Sequence, residues 1–314
     1  MKNKIFLWPK TQYENYGDLV INKILIDELR KHGYLHVSSK DIPFEFFKGL
    51  DVKEDEKISV SGLKLVVRMI YLSLFKKENI YFFTKPGDWY QNDNVKSILN
   101  LTLQTLVYAL LFLSGVKICK FGGSIGKFGK ITGKLESIKH KFYFLDILRD
   151  SNSFISAKKL GFKNISQSTD LAFILECVEN NRKHEDRNCL GYSFRKFTTS
   201  SQNCKTKKIV SDLKGKYFLE PFYQVTRDRE FISEICNDET VSNVEEISYY
   251  QKYDVVVSNR LHVLLFAMSQ GAIPIPVLSY DNNKIRYIFK DMGFEDFVYD
   301  IDSEVHIQEH IKWV

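Results

Sequence analysis

Cysteine is scarce in this sequence, and its placement argues against two common kinds of site. The 314 residues include only five cysteines, widely spaced at positions 119, 177, 189, 204 and 236. Neither a CxxC pair nor a histidine-paired spacing is present, so the sequence indicates neither a zinc site nor a disulfide framework. We expect reduced thiols in a cytoplasmic protein and no bound metal.

Basic tails, arginine-rich blocks and solenoid repeats are also missing. The formal net charge of +6 is spread along the whole chain, which argues against nucleic acid as a partner. A mild positive bias suits a site for anionic small molecules equally well. The first ten residues, MKNKIFLWPK, have an apolar core too short for a signal peptide and predict a first strand instead.

The chain has one long apolar run, at residues 98–114. Four polar residues interrupt it, and its uninterrupted part is nearer half a bilayer span than a whole one. We therefore predict a buried helix. The alternative is that this run and the apolar, basic-ended stretch 63–77 dip into a membrane surface, with the protein peripheral on the inner face of the membrane.

Strand-like and helix-like segments alternate along nearly all of the chain. Such alternation predicts parallel sheets flanked by helices, and the length suffices for two domains. The charge-rich break at 179–188 is the predicted linker. We therefore expect an α/β protein with domains at 1–180 and 188–314.

Ligands of parallel sheets bind beyond the carboxyl ends of the strands, so residues that follow strands are the candidates for a site. Asn15 and Gly17 form a predicted tight turn, with Asp18 at a helix N-cap. Asp18 either caps only or also helps to hold a sugar hydroxyl. The glycine-rich segment 120–129 lets the backbone approach a ligand closely, or is a flexible turn; it matches neither a dinucleotide fingerprint nor a Walker loop.

Charged residues follow several later strands. Arg149 and Arg195 each end a predicted strand, and Arg260 ends the strand DVVVS. His262 lies in the next helical turn, where free amides already favour an anion. Arg260 either forms a bidentate carboxylate or phosphate site or pairs with a nearby acid. Lys284 follows a neighbouring strand.

These segments together resemble the polysaccharide pyruvyl transferase family over most of the chain. The resemblance is carried, in order, by Asn15-x-Gly17-Asp18, the glycines of 122–126, Arg149-Asp150-x-x-Ser153, Ser168-Thr169-Asp170-Leu-Ala-Phe173, Ser193-x-Arg195, Ser258-Asn-Arg260-Leu-His262 and Tyr280-Asp281 with Lys284. It implies a fold similar to B-type glycosyltransferases, with two Rossmann-like domains whose sheets face a central cleft. The N-terminal domain would be the acceptor side and the C-terminal domain the phosphoenolpyruvate side.

The resemblance also implies a reaction. The enolpyruvyl unit of phosphoenolpyruvate would pass to two hydroxyls of a sugar, in a cell-surface polysaccharide or its lipid-linked precursor. A pyruvate ketal forms and phosphate leaves, without a cofactor. Two alternatives stay open: a nucleotide-sugar glycosyltransferase of the same fold, and a non-catalytic scaffold in polysaccharide assembly.

Residue roles follow from this implied chemistry. In characterised relatives the Arg and His of the Arg-Leu-His motif lie at the phosphoenolpyruvate site. His262 is then the expected acid that protonates the methylene carbon, since histidine titrates near neutrality, and Asp18 the expected base for the sugar hydroxyl. The expected substrate-binding residues are Arg260, Arg195, Lys284, Asn15, Gly17, Gly123, Ser124 and Arg149.

Overall fold

The computed structural model describes residues 3–178, 189–237, 241–280 and 283–313. The chain forms two compact units. The first comprises Met1–Tyr13 and Asp18–Leu171, and the second comprises Glu14–Gly17 and Ala172–Val314. The short segment Glu14–Gly17 therefore belongs to the second unit, although it precedes most of the first along the chain. The predicted linker at 179–188 lies outside the described residues.

The first unit is built on an eight-stranded parallel sheet. Its strands are β1 Asn3–Leu7, β2 Gly33–Ser38, β3 Lys57–Ile58, β4 Ile80–Thr84, β5 Gly87–Gln91, β6 Lys117–Phe128, β7 Tyr143–Leu148 and β8 Ile165–Gln167. They lie in the order β3-β2-β1-β4-β6-β7-β8, and β5 pairs with the second half of β6. The helices are α1 Tyr16–Arg30, α2 Phe44–Gly49, α3 Gly62–Leu74, α4 Val95–Leu113, α5 Lys130–His140 and α6 Ser151–Lys159.

Side-chain alternation along the strands places one hydrophobic cluster on each face of this sheet. On β1, Ile5 and Leu7 pack into one cluster with helix α1, and Phe6 packs into the other with α3. Burial on both faces is the expected state of a parallel sheet covered by helices.

The glycine-rich segment is a strand and not a flexible turn, which is one of the two alternatives that the sequence leaves open. β6 continues through the glycines to Phe128, and α5 begins at Lys130. Gly122 has φ +69°, and the register with β7 shifts between Phe121 and Gly123. The strand therefore passes the glycines through a local irregularity, because pairing with β5 and β7 outweighs the weak strand preference of glycine.

The second unit is built on a six-stranded parallel sheet. Its strands are β9 Cys189–Ser193, β10 Phe218–Tyr223, β11 Ser242–Asn243, β12 Val255–Ser258, β13 Ile273–Leu278 and β14 Tyr299–Asp300, in the order β11-β10-β9-β12-β13-β14. The helices are α7 Ser200–Lys214, α8 Arg229–Cys236, α9 Leu261–Ser269, α10 Asn283–Asp291 and α11 Ile307–Trp313. Strand order runs outward in opposite directions from β9 and β12, so the topological switch point lies between these two strands.

Helix α4 is exposed, not buried as the sequence predicts. It is long and apolar enough to cross a membrane by length and composition, yet only 11% of it is buried within the protein. Leu101 and Leu111 reach the core, while the other face carries leucines that are more than half exposed. The expectation of a core helix is therefore wrong.

A cluster of ionisable groups is buried in the first unit beneath Trp89. Glu136 accepts hydrogen bonds from the Trp89 indole (3.0 Å) and Lys139 (2.6 Å). The Lys120 ammonium lies 3.7 Å from the centroid of the Trp89 ring and is 6% exposed. Burial lowers the pKa of Lys120 to about 8, although the Asp146 and Glu136 carboxylates act in the opposite direction.

Replacing Lys120 with methionine should stabilise the protein at neutral pH. A buried ammonium with a lowered pKa costs folding free energy wherever it is charged, so we expect a gain of about 1–3 kcal/mol in the free energy of unfolding near pH 7. Above about pH 8 the folded wild type binds fewer protons than the unfolded chain, so its stability rises with pH and the gain shrinks.

Urea unfolding of both proteins across this pH range measures the effect, and Lys127→Met, an exposed lysine on the same strand, is the control. A difference between wild type and Lys120→Met that stays constant with pH would contradict the explanation.

Candidate functional site

The carboxyl ends of β9 and β12 meet at the switch point of the second sheet. Ser193 and Ser258, the last residues of the two strands, are register partners. The Ser258 hydroxyl donates to the Ser193 carbonyl oxygen at 2.6 Å and accepts from the Arg260 backbone N–H at 3.0 Å. These bonds fix the start of the chain segment that leads to Arg260.

Asn259 ties the two strand ends together. Its side-chain oxygen accepts from the Arg195 N–H at 2.7 Å, and its amide nitrogen donates to the Arg195 carbonyl oxygen at 2.8 Å. The Arg195 backbone is thus held against the residue that precedes Arg260, while its side chain is exposed. The structure therefore brings together the two arginines that the sequence assigns to one anion site.

Arg260 is paired with an acid. Its Nε and Nη2 donate to the two oxygens of the buried Asp228, at 2.7 and 2.5 Å. The Arg260 side chain is 14% exposed. Of the two interpretations that the sequence allowed, pairing with a nearby acid is thus realised; this pairing fixes the plane of the guanidinium, since both contacts are to one carboxylate.

A third arginine joins the group. Burial lowers the pKa of Arg260, the Asp228 bond raises it, and the positive charges of Arg195 and Arg227 lower it further. Arg227 is exposed and lies in the 3-10 turn Thr226–Asp228 that follows β10. Because β10, β9 and β12 are adjacent parallel strands, three arginines follow three neighbouring strands at one edge of the sheet. We call Arg195, Arg227 and Arg260 the arginine cluster.

Arg227 is not among the site residues predicted from the sequence. It lies in the segment Arg227-Asp228-Arg229-Glu230, which by pattern belongs to a helix. In the structure a 3-10 turn separates the strand from α8, so Arg227 is a strand-end residue. The signal available in sequence was the position of this segment a few residues after a predicted strand.

His262 lies in the first turn of α9, as predicted. Its ring stacks on Phe266, with centroids 5.8 Å apart and an interplanar angle of 16°. The side chain is half-buried. Gly17 packs directly against it: a Cβ on Gly17 would lie 2.7 Å from Nδ1 and 2.8 Å from Cβ of His262.

The segment that carries Gly17 is held to the second unit at several points. Asn15 forms an antiparallel bridge with Val225, and its side-chain oxygen accepts from the Gly17 N–H at 3.0 Å. Tyr16 donates its N–H to the Gln224 carbonyl oxygen at 3.3 Å, and its ring packs edge-on against Phe266. The Asn-x-Gly motif therefore shapes the surface next to His262.

Alanine at Gly17 should disturb His262. A Cβ closer than 3 Å to the imidazole forces one of the two residues to move, and we expect a loss of about 1–3 kcal/mol in the free energy of unfolding. Gly215→Ala is the matched control, because a Cβ there would meet no described atom within 4 Å. Equal denaturation midpoints for the two variants would contradict this close packing.

Asp18 does not cap α1, because the helix begins two residues earlier at Tyr16. The carboxylate instead accepts from the Thr11 hydroxyl at 2.5 Å and from the Gln12 N–H at 3.3 Å. Asp18 is half-buried and belongs to the first unit. The expected N-cap is therefore wrong, and the role of Asp18 as a base stays a prediction.

Arg149 is buried in the first unit within a network of acids. Its guanidinium donates to Ser124, Asp170 and Asp88, each at 2.7 Å. Ser124 in turn donates to Asp150 at 2.7 Å. With three such bonds and 3% exposure, Arg149 holds the β6 strand in place. A direct contact of Arg149 or Ser124 with substrate stays a prediction.

Gly123 and Lys284 are the remaining predicted residues. A Cβ on Gly123 would lie 3.0 Å from Cε of the buried Lys120, so glycine there accommodates the lysine. Lys284 lies in the first turn of α10 and is half-buried. Asp281, which the motif pairs with Lys284, lies outside the described residues.

The fold of the chain is similar to that of several solved structures, and these structures define its fold class. The chain is similar to a glycosyltransferase from Rickettsia africae (TM-score 0.62, 10% identity, covering 99% of this chain and 88% of that one). It is also similar to a UDP-GlcNAc 2-epimerase from Neisseria meningitidis (TM-score 0.54, 9% identity, 100% and 91%) and to MurG of Acinetobacter baumannii (TM-score 0.52, 9% identity, 100% and 90%). The fold is thus that of B-type glycosyltransferases and related epimerases, as predicted.

The sequence gives the family within that class. The model of the polysaccharide pyruvyl transferase family matches residues 15–282. The chain belongs to this family, which confirms the resemblance seen in its motifs. No protein of curated function matches the chain significantly.

Proposed function

We propose that this protein transfers the enolpyruvyl unit of phosphoenolpyruvate to two hydroxyls of a sugar, with formation of a pyruvate ketal and release of phosphate. Membership of the pyruvyl transferase family supports a transferase in polysaccharide biosynthesis. The observation that carries the specific proposal is the arginine cluster at the switch point of the second sheet. Phosphoenolpyruvate carries a carboxylate and a phosphate, and guanidinium groups bind both in bidentate fashion.

In this proposal the arginine cluster binds the donor. Arg260 is held by Asp228 through Nε and Nη2, and Nη1 is the proposed contact with the donor. Arg195 and Arg227 are exposed, and they are proposed to bind the carboxylate and the phosphate of the donor. Asp228 keeps the buried Arg260 charge balanced before the donor arrives, since an unpaired buried charge would be costly. Lys284 is proposed as a further cation for the donor.

His262 is the proposed general acid. As the oxygen of the first sugar hydroxyl bonds to the carbon that bears the phosphate, the double-bond electrons take a proton from His262 at the methylene carbon. The hydroxyl proton passes to a base, for which Asp18 is the proposed group. The C–O bond to phosphate then breaks, and the second hydroxyl closes the ketal ring and releases its proton.

The proposed acceptor is a sugar of a cell-surface polysaccharide or of its lipid-linked precursor. The protein would bind this acceptor at the cytoplasmic face of the membrane. Asn15, Gly17, Gly123 and Ser124 are the proposed acceptor-side residues, with Arg149 in a positioning role. The close packing of Gly17 on His262 supports this assignment for Gly17, because it places the Gly17 backbone beside the proposed acid.

Incubation with phosphoenolpyruvate and a panel of lipid-linked sugars tests the proposal. We expect phosphate release that depends on one acceptor, and a product whose mass equals that of the acceptor plus a pyruvyl ketal. Thermal stabilisation by a nucleotide sugar and not by phosphoenolpyruvate would instead identify a glycosyltransferase. If neither ligand binds and Arg260→Ala leaves the cellular phenotype unchanged, the protein is a scaffold.

A further inference from the structure

Two helices of the first unit expose an unusually apolar surface. On α4 the exposed residues follow the helix period along its whole length, at 95, 99, 103, 106, 110 and 113. On α3 and the residue after it they follow the same period, at 63, 67, 71, 74 and 75. The side chains are 47–76% exposed: Leu63, Val67, Tyr71, Leu74, Phe75, Val95, Leu99, Leu103, Leu106, Leu110, Phe112 and Leu113. We call these twelve residues the apolar face.

The two helices that carry the apolar face pack into the same hydrophobic cluster. Helices α3 and α4 bury Leu65, Met69 and Leu111 there. Their C-terminal ends are joined, because the Ser73 hydroxyl donates to the Ser114 carbonyl oxygen at 2.6 Å. Monomeric soluble proteins seldom expose contiguous apolar surface on this scale, and such a surface marks a binding site for a protein or a membrane.

The charged residues within α3 and α4 are all positive, with one acid near an end of each helix, Glu78 after α3 and Asp93 before α4. Residues 57–77 and 94–135 contain no aspartate or glutamate. Five exposed cations lie on the two helices or at their ends, namely Lys64, Arg68, Lys76, Lys77 and Lys96. Apolar residues bordered by lysine and arginine complement the acyl chains and anionic headgroups of a bilayer. A helix that pairs with a protein helix usually flanks its apolar seam with charges, whereas α4 carries Lys96 alone.

The same contacts argue against α4 crossing the bilayer. Its inner face buries Leu101 and Leu111, and β6 begins four residues after the helix ends. A spanning helix would have to pull these leucines out of the core. We propose that α3 and α4 lie in the plane of an anionic membrane surface, with the apolar face inserted among the acyl chains. This inference goes beyond the proposed reaction and does not depend on it.

Vesicle co-sedimentation of the full chain tests this docking surface. Wild type should bind vesicles of phosphatidylcholine mixed with phosphatidylglycerol more tightly than vesicles of phosphatidylcholine alone. Leu103→Glu/Leu106→Glu should weaken binding about 100-fold, because two inserted leucines are replaced by charges. Lys76→Glu/Lys77→Glu should weaken binding to the mixed vesicles about tenfold and remove the preference for them.

The control is Val305→Glu, an equally exposed apolar residue of the second unit, which should bind as wild type does. All substituted side chains are exposed, so thermal unfolding should be unchanged. The proposal is overturned if wild type does not bind either vesicle, or if Leu103→Glu/Leu106→Glu binds as wild type does. It is also overturned if that variant converts a dimer into a monomer while vesicle binding is absent, since the face would then join two copies of the chain.

Discussion

Arg260→Ala should lower kcat/KM for phosphoenolpyruvate by about 1,000-fold or more. The variant loses the guanidinium that is proposed to orient the donor, and it leaves the buried carboxylate of Asp228 without its bidentate partner. Truncating one partner of a buried ion pair typically costs about 3–5 kcal/mol, so the free energy of unfolding should fall as well. Steady-state phosphate release and urea unfolding measure the two effects.

A double substitution separates the two effects of losing Arg260. In Arg260→Met/Asp228→Leu both charges are gone and the volumes are roughly kept, so stability should return to within about 1–2 kcal/mol of wild type. Activity should stay at the level of Arg260→Ala. Recovery of activity along with stability would show that Arg260 serves only to neutralise Asp228, and would remove it from the donor site.

His262→Gln should lower kcat by about 100- to 10,000-fold, the range that general acid catalysis supplies. Donor affinity should change little, because the arginine cluster remains. Steady-state phosphate release measures kcat and KM for wild type and the variant. His306→Gln, an exposed histidine of the second unit, serves as the control. A loss confined to KM would point to a binding role instead.

The local parts of this fold are predictable from sequence. Val255–Ser258 is an uninterrupted apolar strand followed by polar residues, so its end, and hence Arg260 and His262, could be located without tertiary information. The alternation of strands and helices likewise gives parallel sheets, since parallel strands need helical crossovers. The family motif then adds the fold type, which no single element reveals.

The contacts between distant segments could not be predicted. Arg260 pairs with Asp228, which lies 32 residues away, with α8, β11 and β12 between them. Gly17 meets His262 from the other end of the chain, so its lack of a side chain has no local explanation. The composition of residues 98–114 predicts an apolar helix but not which face of that helix is buried. The packing of Leu101 and Leu111 shows which face points inward. The sequence places Arg149 at the end of a strand, but it cannot show that the guanidinium is buried. In the structure Arg149 donates hydrogen bonds to three partners from separate segments of the chain.

Isothermal titration with phosphoenolpyruvate tests the central claim, that the arginine cluster is the donor site. Wild type and Arg229→Ala should bind the donor alike, because Arg229 begins α8, is exposed and is not one of the arginines assigned to the donor. Arg227→Ala should bind at least about tenfold more weakly, the usual effect of removing one charge-assisted contact. Equal affinities for Arg227→Ala and wild type, or binding of a nucleotide sugar in place of phosphoenolpyruvate, would contradict the assignment.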